Sequence, residues 1–214
     1  MQAIDFMLPG FARCGTTTLF EHLRRHPQVW IPPYKECTID DYTTESFMKQ
    51  HFPGNYKGKT IGHLSPMWIL NPRLAYNLFG DIKIIIATRD KQERTDSWIK
   101  MLNERNEPID HDYIEMINQY DRWIDFWKDL FSDVFVYDLS EMQEDPKKIV
   151  DEIYKFLGLK PFKPKGLGVK YNSRPGKMMP LMKFLKKLEL KRFLPQGIIY
   201  RISYFLYFYG RSSK

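Results

Sequence analysis

Apolar residues in this chain fall into short runs, separated by longer stretches where they recur every three or four positions. The densest run is residues 82–88, Ile-Lys-Ile-Ile-Ile-Ala-Thr, nearly continuous in β-branched side chains, as a strand covered on both faces requires. Residues 134–137 repeat the pattern more briefly, and residues 3–8 (Ala-Ile-Asp-Phe-Met-Leu) form a third run. Weaker strands are predicted at 28–31 and 60–64. Helical spacing predicts 16–25, 71–79, 91–103, 112–131 and 145–157. Asn-Pro at 71–72 and Asp-Pro at 145–146 are start signals, because Asn or Asp can cap the first N–H groups and proline fits the first turn; Gly158 is a stop. Strands alternating with helices predict a single α/β domain, a parallel sheet flanked by helices in three layers. Ligands of such sheets sit at the carboxyl ends of the strands. Beyond residue 159 the pattern changes. Residues 160–176, rich in Pro, Gly and Lys, read as a long loop, and 177–193 and 195–209 as C-terminal helices.

Composition bounds this picture. With 214 residues, 43% hydrophobic and 28% charged, the chain has enough apolar material for one ample core. No run of about 20 apolar residues could span a membrane, and the first predicted strand starts too near Met1 for a signal peptide. Cys14 and Cys37 are too few for a disulfide framework and lack metal-ligand spacing. The expectation is a cytoplasmic protein without a metal site.

Net charge is +7, but residues 160–214 carry +13 and residues 1–159 carry −6. A basic tail on a mildly acidic body suits contact with an anion: a cofactor, an acidic glycan, a phospholipid or a nucleic acid. A solvated lysine face is the plain alternative. In 177–193, Leu181, Phe184, Leu185 and Leu188 share one face, with Lys183, Lys186, Lys187 and Lys191 mostly opposite. Such a helix, beside the aromatic 195–209, can lie peripherally at the inner membrane surface, or it can cover the sheet.

The chemistry concentrates in a few places. Pro9-Gly10-Phe11-Ala12-Arg13-Cys14-Gly15-Thr16-Thr17-Thr18-Leu19 runs from the first strand into the first helix. A glycine-bracketed loop at that junction aims backbone N–H groups and the helix dipole at an anion. Gly10 and Gly15 keep the Walker spacing, yet Thr16 stands where a nucleotide triphosphatase has lysine, and the cation has moved into the loop as Arg13. That points to an anionic nucleotide other than ATP or GTP. The strand 84–88 ends in Arg89-Asp90, with Arg94 and Ser97 following. His26-Pro27 leads through a short strand to Lys35-Glu36. Gly62-His63-Leu64-Ser65-Pro66-Met67-Trp68 forms a further ordered group, and Tyr171-Asn172-Ser173-Arg174-Pro175 lies in the basic loop.

In this order and spacing, the motifs resemble those of sulfotransferases that use 3′-phosphoadenosine-5′-phosphosulfate (PAPS), the broad group with bacterial, heparan-modifying and tyrosyl-protein members. The resemblance covers about residues 4 to 160. It implies a P-loop-NTPase-like three-layer fold over the whole chain, with 1–159 as nucleotide-binding core. It also implies roles for individual residues. Arg13 would neutralise the sulfuryl group and the bridging oxygen. The loop from Cys14 through Gly15, Thr16, Thr17 and Thr18 would hold the 5′-phosphate. Arg89 and Ser97 would anchor the 3′-phosphate, with Arg174 a second charge on it. Glu36 would be the general base, with Lys35 near the bridging oxygen or the cofactor. Cys37-Thr38-Ile39-Asp40 replaces the family's usual aromatic pair after Lys-Glu. His63 is a candidate second acid–base group, or a hydrogen-bonded structural histidine. Trp68 reads as pocket wall or core, Arg94 as an internal salt-bridge partner, and Tyr120, Trp123 and Trp127 as core.

The implied activity is transfer of a sulfuryl group from PAPS to an acceptor hydroxyl or amine by in-line displacement, leaving 3′-phosphoadenosine-5′-phosphate (PAP). A carbohydrate, glycolipid or small alcohol would be the acceptor. Partners would be that acceptor, an anionic glycan or a lipid, rather than a nucleic acid. Two alternatives stand beside this: a P-loop kinase-like phosphotransferase, and a non-enzymatic module that binds nucleotide or membrane.

Overall fold

The computed structural model describes residues 4–32 and 58–168, with residues 45, 47, 48, 52 and 56 between them. Five strands form one wholly parallel sheet: β1 Phe6–Leu8, β2 Val29–Trp30, β3 Thr60–Leu64, β4 Lys83–Thr88 and β5 Val134–Asp138, in the order β2-β3-β1-β4-β5. β1 is central and wholly buried; its Met7 pairs with His63 on one side and Ile84 on the other. Phe6 lies across Gly62 of β3, where a Cβ would come within 2.1 Å of the ring. The bulky residue at the sheet centre therefore requires a glycine beside it.

The helices are α1 Thr16–Leu23, α2 Pro72–Phe79, α3 Lys91–Arg105, α4 His111–Ile117, α5 Tyr120–Leu130, α6 Leu139–Glu144 and α7 Pro146–Leu157, with a 3-10 turn at Pro66–Leu70. From β1 the chain moves outward to β2 and back to β3, then crosses β1 to reach β4 and β5. Right-handed crossovers in opposite directions put their helices on opposite faces. The contacts agree: Tyr154 of α7 donates to His22 O of α1 (3.4 Å), and Tyr76 of α2 packs edge-on to Phe131 at the end of α5 (5.5 Å). The reversal of direction at β1 opens a crevice at the carboxyl ends of β1 and β4. Among the described residues no helix is long and apolar enough to cross a membrane.

Two departures from the sequence pattern matter for the site. The single helix predicted over 112–131 is two helices, broken at Asn118-Gln119. The Asn118 side chain is engaged elsewhere: its Oδ1 accepts from Arg94 Nε (2.8 Å) and its Nδ2 donates to Thr95 Oγ1 (2.9 Å). α6 carried no helical pattern long enough to read. It exists because Asp138 caps it and Glu141 reaches back to the Asp138 N–H, a complete capping box. At the two proline starts, Asp145 does cap α7 through Lys148 N–H (2.9 Å), whereas Asn71 makes no side-chain cap. The C-terminal helices expected at 177–193 and 195–209 lie outside the described residues.

Candidate active site

The loop between β1 and α1 takes its shape from two residues in the left-handed region, Arg13 (φ 74°) and Gly15 (φ 76°). For Arg13 that conformation costs about 1–2 kcal/mol, a strain of the kind found where a backbone is held for a ligand. At Gly15 a side chain is excluded twice over, because a Cβ would also sit 2.4 Å from Leu139 Cδ1. α1 begins without a side-chain cap, and its first backbone bond near this end is from Thr18 N–H to Gly15 O (2.9 Å). Among the described residues the Gly15 and Thr16 N–H groups have no acceptor. Two such donors at a helix N-terminus suit an anion.

Three of the predicted residues converge over this loop. Arg13 Nε donates to Ser97 Oγ of α3 at 3.0 Å, and Arg13 Nη1 rests against Met101 Sδ at 3.9 Å. Arg89, leaving the end of β4, donates from Nη1 to Arg13 O at 3.4 Å. Its Nε and Nη2 both reach Glu93 Oε2, at 3.1 and 3.0 Å. Two guanidinium groups and a hydroxyl, drawn from three separate elements, thus stand together at the carboxyl end of the sheet.

No family model matches the sequence. Over 132 residues, 54% of this chain, it is 28% identical to the membrane-associated sulfotransferase kil1 of Dictyostelium discoideum; the match spans 27% of that protein's length. Among solved structures, it superposes on a sulfotransferase from Alicyclobacillus acidocaldarius with a TM-score of 0.66, covering 90% of this chain and 94% of the other at 19% identity. The sulfotransferase domain of the curacin biosynthetic pathway gives 0.56, with 77% and 76% covered at 15% identity. A mouse sulfotransferase complexed with PAP gives 0.55, with 76% and 62% covered at 18% identity. The chain has the sulfotransferase fold.

Within that fold the remaining predicted residues take different positions. Cys14 turns inward: its N–H donates to Phe11 O (3.3 Å), and its thiol lies 3.9 Å from Tyr120 Oη. Burial pushes the thiol up to about 12, outweighing the nearby Tyr120, Arg94 and Arg89. The thiol also lies within donating distance of Ala12 O (4.0 Å), so the side chain is engaged inside the protein. Thr16 is buried, while Thr17 and Thr18 are half-buried on the first turn. His63 is fully buried on β3, edge-on to Phe47 (5.1 Å) and Trp68 (6.0 Å). Trp68 belongs to the same aromatic cluster, which Phe79 completes.

Arg94 is internal, as expected, but its partners are neutral rather than acidic: Asn118 Oδ1, Ile114 O (3.2 Å) and the face of Trp98. Two carbonyl oxygens and an aromatic face thus meet the buried guanidinium. His26 accepts from Gln28 N–H at Nδ1 (3.1 Å) and contacts Lys160 O through Nε2 (2.9 Å), which ties the start of β2 to the segment after α7. Tyr120 and Trp127 are buried and Trp123 partly so. Lys35, Glu36 and Arg174 lie outside the described residues.

Two contributors had no motif to announce them. Asp138, at the end of β5, accepts from Ser140 and from Thr88 Oγ1 (2.9 Å). Although burial opposes it, those bonds and the Arg89 charge hold the carboxyl below its ordinary range. Leu139, next along, supplies the wall against which Gly15 is pressed. The only hint in the sequence was Asp138 at the end of an apolar run, a signal shared by most helix caps.

Proposed function

We infer that this protein transfers a sulfuryl group from PAPS to an acceptor hydroxyl or amine. What supports this reading is the convergence of Arg13, Arg89 and Ser97 beside an uncapped helix start. The Gly15 and Thr16 N–H groups fit the 5′-phosphate of such a donor. Arg89, just after β4, and Ser97, on the second turn of α3, fit a second phosphate on the same adenosine. When bound, PAPS supplies an activated sulfuryl group whose bond to the 5′-phosphate breaks as the acceptor attacks in line.

Arg13 then presents fixed positive charge where the leaving oxygen gains negative charge, which is ordinarily the largest single contribution to such a reaction. Its guanidinium is already positioned by Ser97 and Met101, so little reorganisation is needed. Glu36 takes the acceptor proton, and Arg174 adds charge at the 3′-phosphate. A kinase would need a cation on the first turn of α1; Thr16 there is 6% exposed and offers a hydroxyl only. The acceptor is a carbohydrate, glycolipid or small alcohol. The basic tail, and a relative whose name places it at a membrane, favour an anionic glycan or a lipid at the inner membrane surface, reached from the cytoplasm.

Incubation with radiolabelled PAPS across a panel of these acceptors tests the reading, with Glu36→Gln in parallel. Label should pass to at least one acceptor, and Glu36→Gln should abolish transfer while PAP affinity stays nearly intact. Absence of transfer to any acceptor, with ATP and magnesium instead raising the melting temperature, would favour a kinase.

A further inference from the structure

Among the described residues two helices begin with the sequence Asp-x-x-Glu: α3 at Asp90 and Glu93, and α6 at Asp138 and Glu141. In both, the aspartate caps the helix; Asp90 Oδ1 accepts the Glu93 N–H at 2.9 Å. The pattern is that of a capping box, in which the glutamate reaches back to the N–H of the capping residue. At α6 the box closes, with Glu141 Oε2 taking the Asp138 N–H at 2.7 Å. At α3 it stays open. Glu93 Oε2 has turned away to Arg89 and receives both Nε and Nη2 of the guanidinium. Among the described residues the Asp90 N–H has no acceptor.

We propose that Glu93 is a built-in substitute for the 3′-phosphate: it occupies one edge of Arg89 until a phosphate displaces it, then returns to the Asp90 N–H and closes the capping box. The inference rests on reading Arg89 as the 3′-phosphate anchor. Glu93 is 64% exposed, and exposed ion pairs between residues four apart contribute little in water. A phosphate that takes the guanidinium through two parallel bonds is the stronger partner. The displaced carboxylate has a second seat one turn away, at a helix N-terminus where negative charge is stabilised. Because Glu93 competes for Arg89, it weakens the hold on the desulfated product and speeds its departure.

The test is titration calorimetry on the full chain with PAP and with AMP, which lacks the 3′-phosphate. Wild type is compared with Glu93→Gln and Glu93→Ala, the latter removing any residual amide bond to Arg89. PAP should bind wild type more tightly than AMP, and both substitutions should tighten PAP about two- to fivefold while leaving AMP unchanged. PAP tighter than AMP on wild type, but unchanged or weakened by both substitutions, overturns the role of Glu93 and leaves the phosphate anchor standing. Equal tightening of PAP and AMP also overturns it, since Glu93 would then act only through overall charge. PAP no tighter than AMP on wild type removes the anchor and the proposal together. Melting temperatures of the exposed-site variants, expected within a few degrees of wild type, confirm that folded protein is compared.

Discussion

Gly15 meets two demands at once: a positive φ, and a backbone so close to Leu139 that no side chain fits. Gly15→Ala should therefore destabilise the protein by about 1–3 kcal/mol in urea titration, and nucleotide affinity should fall with it. The neighbouring residue behaves oppositely. With its thiol held near 12 by burial, Cys14 should resist iodoacetamide in the native protein at pH 8 and react once urea exposes it, as peptide mass mapping can show. The glycine spacing and Arg13 were legible in the sequence because loop geometry restricts which residue types can stand there. The direction of the Cys14 side chain was not, since Tyr120 lies far along the chain, at no spacing that a local rule connects to it.

At the scale of the element, α1 opens with the N–H groups that the proposed function places at the 5′-phosphate and carries a buried histidine, His22, near its last turn. Burial lowers His22 to about 4, with Arg25 adding to the effect. The unfolded chain takes up that proton near pH 6.5 and the folded protein only near pH 4. Stability should thus fall as pH drops through this window, by roughly 3 kcal/mol. Urea midpoints measured from pH 7 to pH 4 should show the slope, and His22→Gln should flatten it.

The break between α4 and α5 has its own signature. Asn118→Ala leaves the buried Arg94 guanidinium short of an acceptor, at a cost of about 2–3 kcal/mol in the same assay. Replacing both, with Arg94→Met and Asn118→Leu, should recover much of that loss because no lone charge stays buried. The helical spacing over 112–131 continues through the break, so periodicity alone could not reveal it. The backbone leaves the helix at Gln119 (ψ 60°), beside an Asn118 side chain held by Arg94 and Thr95 of α3.

For the whole molecule, alternation of apolar runs with helical spacing was enough to specify a parallel α/β sheet, since strands buried on both faces must be apolar throughout. The places where Asp138 and Leu139 meet the loop depend on which strands become neighbours, and that appears only once β5 pairs with β4. Charge divides the molecule just as unevenly: −6 over residues 1–159 and +13 beyond. Each Lys or Arg close to an anionic bilayer contributes about 1 kcal/mol. The full chain should therefore sediment with phosphatidylglycerol vesicles at low salt and separate from them at roughly 0.5 M salt, where charge is screened within a few ångströms. A chain ending at residue 168 should stay in the supernatant under both conditions.

The contact between Leu139 and Gly15 also sets when the proposed nucleotide site can come into being. The glycine loop is made early in synthesis, but the surface that moulds it arrives only after β5 has joined the sheet. A truncated product ending near residue 130 would display every letter of the loop and still be blind to nucleotide, however well its remaining strands associate. Ribosome-bound or proteolysed forms of this length should consequently elute from a PAP-agarose column with the void, and competence should appear as a step once α6 is in place.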